Sequence, residues 1–211
     1  MAEFAVEPDT PTELLPREFF ARESDAVARD LLGIWLVRDS ANGLTGGPIV
    51  ETEAYLGPED RASHARAGRT RRTEPMFGEV GHAYVYLVYG MHECLNVVAY
   101  KDRQAGAVLI RALEPRVGVE LMRARRGGRT DAVERLASGP ARLCQALDVT
   151  RAYDGHDLLS RQDLWLAAPE PAELAEIAIG PRVGVDYAGP GWADRPWRFW
   201  IAGNPAVSRP R

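Results

Sequence analysis

Lysine is nearly missing from this 211-residue chain: Lys101 is the only one among 26 basic side chains, so almost all positive charge is arginine. Cysteine is as scarce. Cys94 and Cys144 stand alone, which leaves neither a disulfide framework nor a paired-cysteine zinc site to expect. The four histidines, His64, His82, His92 and His156, lack a metal-ligand spacing such as H-E-x-x-H, so no metal is expected. No apolar run approaches the roughly 20 residues needed to span a bilayer. The opening residues, MAEFAVEPDTPTE, are acidic where a secretory signal would be basic. The expectation is an intracellular protein with no membrane partner.

What is present is ordinary globular composition, 45% hydrophobic and 27% charged, at a length that suits one domain. A net charge of −4 and a pI near 5.7 argue at first against a nucleic-acid partner. The distribution argues the other way. Arg61, Arg66, Arg69, Arg71 and Arg72 fall in a stretch without an acid, and Arg123, Arg125, Arg126 and Arg129 form a second cluster. Such runs are either solvated surface or phosphate contacts, for which the arginine fork is well suited.

There is no long linker, repeat or low-complexity tract. Residues 1–14 read as a flexible N-terminal segment, and 15–211 as a single domain. SDAVARDLLG has a helical pattern, with Ser24 as a candidate cap and Gly33 as a stop. IWLVRD and PIVETEAYL read as strands joined at Asn42-Gly43. Gly57-Pro58-Glu59-Asp60 ends the second strand and is expected to open a helix. Further helical patterns cover Val119 to Arg126, Asp131 to Ala137, and the stretch from Ser138-Gly139-Pro140 through Leu147. Strands return near DLWLAA, EIAIGPRVGV and RPWRFWIAG. Strands and helices lack the regular alternation of a doubly wound sheet, so the expected class is α+β.

Two segments carry candidate chemistry. On PIVETEAYL, period-two alternation puts Glu51, Glu53 and Tyr55 on one face, with Val50, Thr52, Ala54 and Leu56 on the other. The plain alternative is a half-exposed strand with its polar side in water, and spacing does not choose between the glutamates. In HAYVYLVYGMHECLNVVAY, Gly90-Met91 interrupts an alternating run, so a hairpin is expected with Tyr89 at or beside its turn. Tyr84 and Tyr86 fit an ordinary strand core. A tyrosine at a hairpin tip does not. Asn96, among apolar residues, is either a satisfied buried amide or a group reserved for a ligand.

The stretches IVETEAYLGPEDRASHARAGR, MFGEVGHAYVYLVYGMHECLNVV, VLIRALEP, SGPARLCQAL and RVGVDYAG, in that order from about Leu31 to Ser208, resemble the alkyladenine DNA glycosylase family, the mammalian-type 3-methyladenine DNA glycosylases. The resemblance implies a single mixed α+β domain with a curved, mainly antiparallel sheet, surrounding helices and a protruding DNA-inserting β-hairpin. It implies a monofunctional enzyme without cofactor, a likeness to monomers, and a double-stranded DNA partner containing damaged purines, met in cytoplasm or nucleoid. Alkylated or deaminated purines of the 3-methyladenine, 7-methylguanine, hypoxanthine and ethenoadenine class would be flipped out and cut from deoxyribose. By the same resemblance Glu53 is the general base and Arg111 helps to hold the attacking water. Tyr55, His64 and Tyr86 wall the pocket, the main chain at His64 and Val183 reads the base, and Asn96 crowds the amino group of guanine. Tyr89 fills the gap left by the flipped nucleotide, Met76 lies near the opposite strand, and Arg142 lies by the phosphates.

The chain departs from the mammalian members at His92, Glu93 and Glu79, so its contacts with the undamaged strand are expected to differ. Conservative replacement of Glu51 is expected to be milder than that of Glu53. Two rival readings remain. A lesion-recognition module without catalysis would need the pocket but not Glu53 or Arg111. A hydrolase of free nucleosides would gain nothing from Tyr89 or the arginine clusters.

Overall fold

The computed structural model describes residues 10–102, 104–128, 132–169 and 176–208. Three α-helices and eight strands occur among them, as α1 (Ser24–Asp30), β1 (Trp35–Ser40), β2 (Gly43–Tyr55), β3 (Ala83–Val88), β4 (His92–Val98), β5 (Ala107–Leu113), α2 (Val119–Arg125), α3 (Pro140–Leu147), β6 (Leu164–Ala167), β7 (Ile177–Gly180) and β8 (Arg198–Ile201). All the strand pairings are antiparallel, in the order β3-β4-β5-β2-β1-β6, with β8 joining β2 and carrying β7. This is a mixed α+β fold built on an open sheet.

β2 organises the sheet because it serves two sets of neighbours. Its first half pairs with β1 from Gly43 to Pro48, and its second half lies between β5 and β8. Ile49 faces Leu113 and Thr52 faces Ile110, but between them Glu51 pairs with Ala112, a local bulge of the kind that re-aims side chains.

Residues directly opposite one another share a sheet face, so the register traces a row across five strands: Tyr84, Asn96, Leu109, Glu53 and Arg198. Tyr86 and Cys94 lie opposite each other in the next row. The other face carries Ala54, Val85, Leu95, Val97, Val108 and Ile110, packed with Val27, Ala28 and Leu31 of α1 and Leu143, Ala146 and Leu147 of α3. Thr52 is anchored on this side by its hydroxyl, which donates to the Ala28 carbonyl at 2.7 Å. One face of the sheet is thus core, which leaves the other for a site.

Several local expectations are corrected. Ser24 does not cap α1; it is the first helical residue, and its hydroxyl donates to the Ala99 carbonyl at 2.7 Å. The Gly57–Asp60 stretch opens no α-helix. Asp60 instead accepts from the backbone N–H groups of Leu56 and Ala62, closing a turn with its own side chain. The helix expected from Asp131 to Ala137 is a short 3-10 turn over Val133–Arg135, and Asp131 lies outside the described residues. In the N-terminal segment, residues 1–9 also lie outside, while Thr10 is buried and Leu14 bridges Ala167. Among the described residues no helix is long and apolar enough to cross a membrane.

Candidate active site

The open face of the sheet forms the floor of a cleft of about 910 Å³. Tyr84, Tyr86, Cys94, Asn96, Leu109 and Arg111 come from the floor strands, and Tyr55 from the end of β2. His64 lies in the 3-10 turn His64–Ala67, and the Val183–Tyr187 loop closes one side. The His64 and Tyr86 rings meet edge to face at 4.6 Å, and Tyr84 lies 5.3 Å from Tyr86. Burial, helped by the charge of Arg72, pushes His64 down to about 4. The imidazole is therefore neutral near pH 7. Its Nδ1 is 2.9 Å from the Tyr84 hydroxyl, and Arg72 lies 3.5 Å from Nε2. Burial pushes the Cys94 thiol up to about 11, so it stays protonated near pH 7.

Glu51, Glu53 and Arg111 form a charged cluster at the β2–β5 bulge. Both carboxylates are wholly buried, not half-exposed as the strand pattern allowed. Glu53 Oε1 accepts from the Val183 N–H at 2.7 Å and lies 3.2 Å from Arg111 Nη1; Oε2 accepts from the Tyr55 hydroxyl at 2.8 Å. Burial and then the charge of Glu53 hold the Tyr55 phenol far above its usual range, which keeps that donor in place. Glu53 is covered by Tyr55, Arg111 and Val183, side chains and backbone that themselves line the cleft. Glu51 Oε1 accepts from Arg111 Nε at 2.8 Å and Arg198 Nε at 2.7 Å. Burial alone would raise the pKa of Glu51; Arg111, a hydrogen bond from Ser208 and Arg198 outweigh it and hold the carboxyl below its usual range.

The structure brings most of the candidate residues together: Tyr55, His64, Tyr86, Asn96, Arg111 and Val183 line one cleft, with Glu53 just behind its wall. Asn96 is buried and donates from Nδ2 to the Tyr84 carbonyl at 3.0 Å, which fixes the orientation of its amide. The Val183 N–H is committed to Glu53 and is not free to read a base, so that expectation narrows to its carbonyl. Tyr89 is 87% exposed in a three-residue loop between Val88 and His92, in the left-handed region at φ 53°. Arg142, on the first turn of α3, and Arg135 line the cleft, and neither makes a hydrogen bond or ion pair among the described residues.

Met76, expected near the opposite strand, is 1% exposed, packed with Ala65, Tyr84, Val98 and Ala107, and belongs to the lining of the same cleft. The second arginine cluster lies elsewhere: Arg125 bonds to Ser40, Thr45 and the Ala146 carbonyl, Arg123 pairs with Glu120, and neither lines the cleft. Arg129 falls outside the described residues. Of the departures, His92 is exposed at the cleft mouth and Glu79 pairs with Arg17 at 3.4 Å.

Sequence reasoning missed Asp60 and Arg182. Arg182 makes a fork-to-fork ion pair with Asp60 at 2.5 and 2.9 Å, both side chains wholly buried. Its guanidinium lies 4.8 Å from the Tyr55 ring and 4.9 Å from Trp197. It therefore braces both the pocket wall and the Val183 backbone beside it. Their only advance signal was that each sits inside a motif quoted for the resemblance, Asp60 in GPED and Arg182 in RVGV.

An aromatic-walled cleft, with Arg111 in its floor and the carboxylates of Glu53 and Glu51 buried behind it, suits a flat substrate and acid–base chemistry upon it. A family model described as methylpurine-DNA glycosylase matches residues 18–205. A relative in Methanocella arvoryzae is 48% identical over 196 residues, 93% of this chain and 96% of its own. One in Carboxydothermus hydrogenoformans is 46% identical, covering 93% and 99%, and one in Streptomyces avermitilis 48%, covering 92% and 90%. Each bears the name 3-methyladenine DNA glycosylase. The chain belongs to the methylpurine-DNA glycosylase family, DNA-repair hydrolases of N-glycosyl bonds.

Proposed function

We propose that this protein flips an alkylated or deaminated purine out of duplex DNA into the cleft and hydrolyses its bond to deoxyribose with a water activated by Glu53. The observation that carries the proposal is the Glu53 carboxylate, held by Tyr55, Val183 and Arg111 directly behind a pocket walled by Tyr55, His64 and Tyr86. Extruding a base costs a few kcal/mol, and stacking on aromatic side chains returns about 1–3 kcal/mol per base. Purines that carry positive charge after alkylation gain about 0.5–2 kcal/mol more from cation–π attraction. Glu53 Oε2 accepts one hydrogen bond, from Tyr55, and keeps acceptor capacity for a water. Taking the proton of that water as it attacks the sugar is general base catalysis. The negative charge also favours an oxocarbenium-like sugar, by analogy with other glycosidic cleavages.

Asn96 stands in the pocket floor, where its bulk would crowd the amino group of guanine. Arg142 supplies charge for a phosphate at the cleft mouth. Lys101 is exposed and does not line the cleft, so a Schiff base with the sugar has no lysine to form it, and the product is an intact abasic site. The reading is tested by incubating the protein with a labelled duplex containing hypoxanthine or an alkylated purine, then adding alkali. Strand scission only after alkali is the expected result. A recognition module would give none, and a nucleoside hydrolase would act on the free nucleoside but not on the duplex.

Tyr89 is the wedge in this reading. A ring 87% exposed at a hairpin tip gains burial only when DNA covers it, and it replaces stacking that the flipped nucleotide gave up, against a cost of a few kcal/mol. Tyr89→Ser is expected to fold and to bind undamaged DNA with normal salt dependence. Its excision rate falls most for well-paired lesions and least for lesions in mismatches or single strands. Equal losses on paired and unpaired lesions would assign the ring to the pocket instead.

A further inference from the structure

We infer that Ser208 is a positioning residue for the hydrolysis: it fixes the edge of the Arg111 guanidinium opposite Glu53, and so aims the remaining nitrogen at the base. The inference rests on the reading of Glu53 and Arg111 given above. Ser208 lies 157 residues from Glu51 in sequence, yet spends every polar group it has on this one cluster. Its N–H donates to Glu51 Oε2 at 2.7 Å, and its carbonyl accepts from Arg198 Nη2 at 3.2 Å. Its hydroxyl donates to Glu51 Oε1 at 2.9 Å and accepts from Arg111 Nη2 at 3.2 Å.

The geometry of a guanidinium gives that last contact its meaning. Nε and Nη2 point along the same edge of a rigid plane, and Nη1 points away from it. In Arg111 the edge is held at both ends, Nε by Glu51 at 2.8 Å and Nη2 by Ser208, which leaves Nη1 facing Glu53 at 3.2 Å. Without the Ser208 hydroxyl the guanidinium keeps Nε on Glu51 and Nη1 beside Glu53, but the Nη2 corner loses its partner, and the plane can tilt about the two remaining contacts so that Nη1 meets the carboxylate at a poorer angle. Ser208 also lines the cleft, and the Val207 carbonyl beside it accepts from the Ser138 hydroxyl at 3.3 Å, just before the α3 turn that carries Arg142. The hydroxyl is thus part of the site and not a distant strut.

Ser208→Ala keeps both backbone hydrogen bonds and removes only the hydroxyl, so the protein is expected to fold. Hydrogen bonds to charged groups contribute enough that the single-turnover excision rate should fall about ten- to a hundredfold. Affinity for the lesion duplex should stay within about twofold of the parent, since the hydroxyl is committed to Glu51 and Arg111 and not to the DNA. In an Arg111→Ala background, Ser208→Ala should cost nothing further, because its effect passes through Arg111. A parent-like rate for Ser208→Ala, a parallel loss of affinity, or an additive loss in the Arg111→Ala background would each overturn the inference. Glu53→Gln run alongside separates the two claims: an active Glu53→Gln sinks the underlying reading, whereas an inactive one beside a normal Ser208→Ala sinks only the role of Ser208.

Discussion

Glu53→Gln is expected to leave a folded protein that binds a lesion duplex and releases almost no base, a loss of about a thousandfold or more, at the upper end of what a general base contributes. The amide can fit without an orphaned group. Its oxygen takes the place of Oε1, facing the Val183 N–H and Arg111, and its NH2 faces the Tyr55 hydroxyl, which can turn to accept. What disappears is the capacity to take a proton. Duplex binding by titration and single-turnover excision, measured on the same variant, check both halves. Loss of binding along with the rate would mean that Glu53 holds the pocket together and does not act in the chemistry.

Glu51→Gln should behave in the opposite way, milder in the chemistry but costly to the fold. Four donors converge on Glu51: Arg111, Arg198, and both the N–H and the hydroxyl of Ser208. An amide in that place sets its NH2 against at least one fixed donor, and it leaves two buried arginines short of a counter-charge. A buried conflict of this kind costs about 1–3 kcal/mol, more when a charge is involved. The damage should therefore appear first as lowered stability, whereas for Glu53 it appears as lost chemistry.

Asp60→Ala should be strongly destabilising. It strips the counter-ion from Arg182, a guanidinium with no exposed side chain, and removes the acceptor for the Leu56 and Ala62 N–H groups. Breaking one side of a buried ion pair costs about 3–5 kcal/mol. In a domain of this size each kcal/mol shifts the melting temperature by about 2–4 °C, so a fall of about 6–20 °C is expected by thermal unfolding. The pocket should loosen with it, since Arg182 lies against the Tyr55 ring. A melting temperature within about 2 °C of the parent would show that the ion pair contributes no net stability.

The sheet faces were legible in the sequence because alternation is a local signal. Glu51, Glu53 and Tyr55 share a side, and so do Tyr84 and Tyr86, as the period-two pattern requires. How deeply they are buried was not legible. That depends on β8 and on Ser208, brought over β2 from 147 and 157 residues away, and no local pattern reports such a cover. The Asp60–Arg182 pair was hidden for the same reason, its partners being 122 residues apart in irregular segments. The helix start at Gly57–Asp60 was misread because proline and acids favour a helix N-terminus and a side-chain-closed turn alike. The burial of Met76 was not legible either, because it comes from Ala65, Val98 and Ala107, which belong to three separate segments.

The spans that join the site also set the order in which it can be built. The β3–β4 hairpin closes across three loop residues and β1–β2 across an even tighter turn, so both can form early at little entropic cost. The contacts that aim Arg111 and cover Glu53 wait for closures of 130 residues, from Glu53 to Val183, and 157, from Glu51 to Ser208. Non-local closures of this kind are slow steps in folding. A partly folded chain can therefore present the hairpin, with Tyr89 at its tip, before it has a working carboxylate. Catalytic competence is therefore expected to arrive late as this protein folds, and to go early when its long-range closures open.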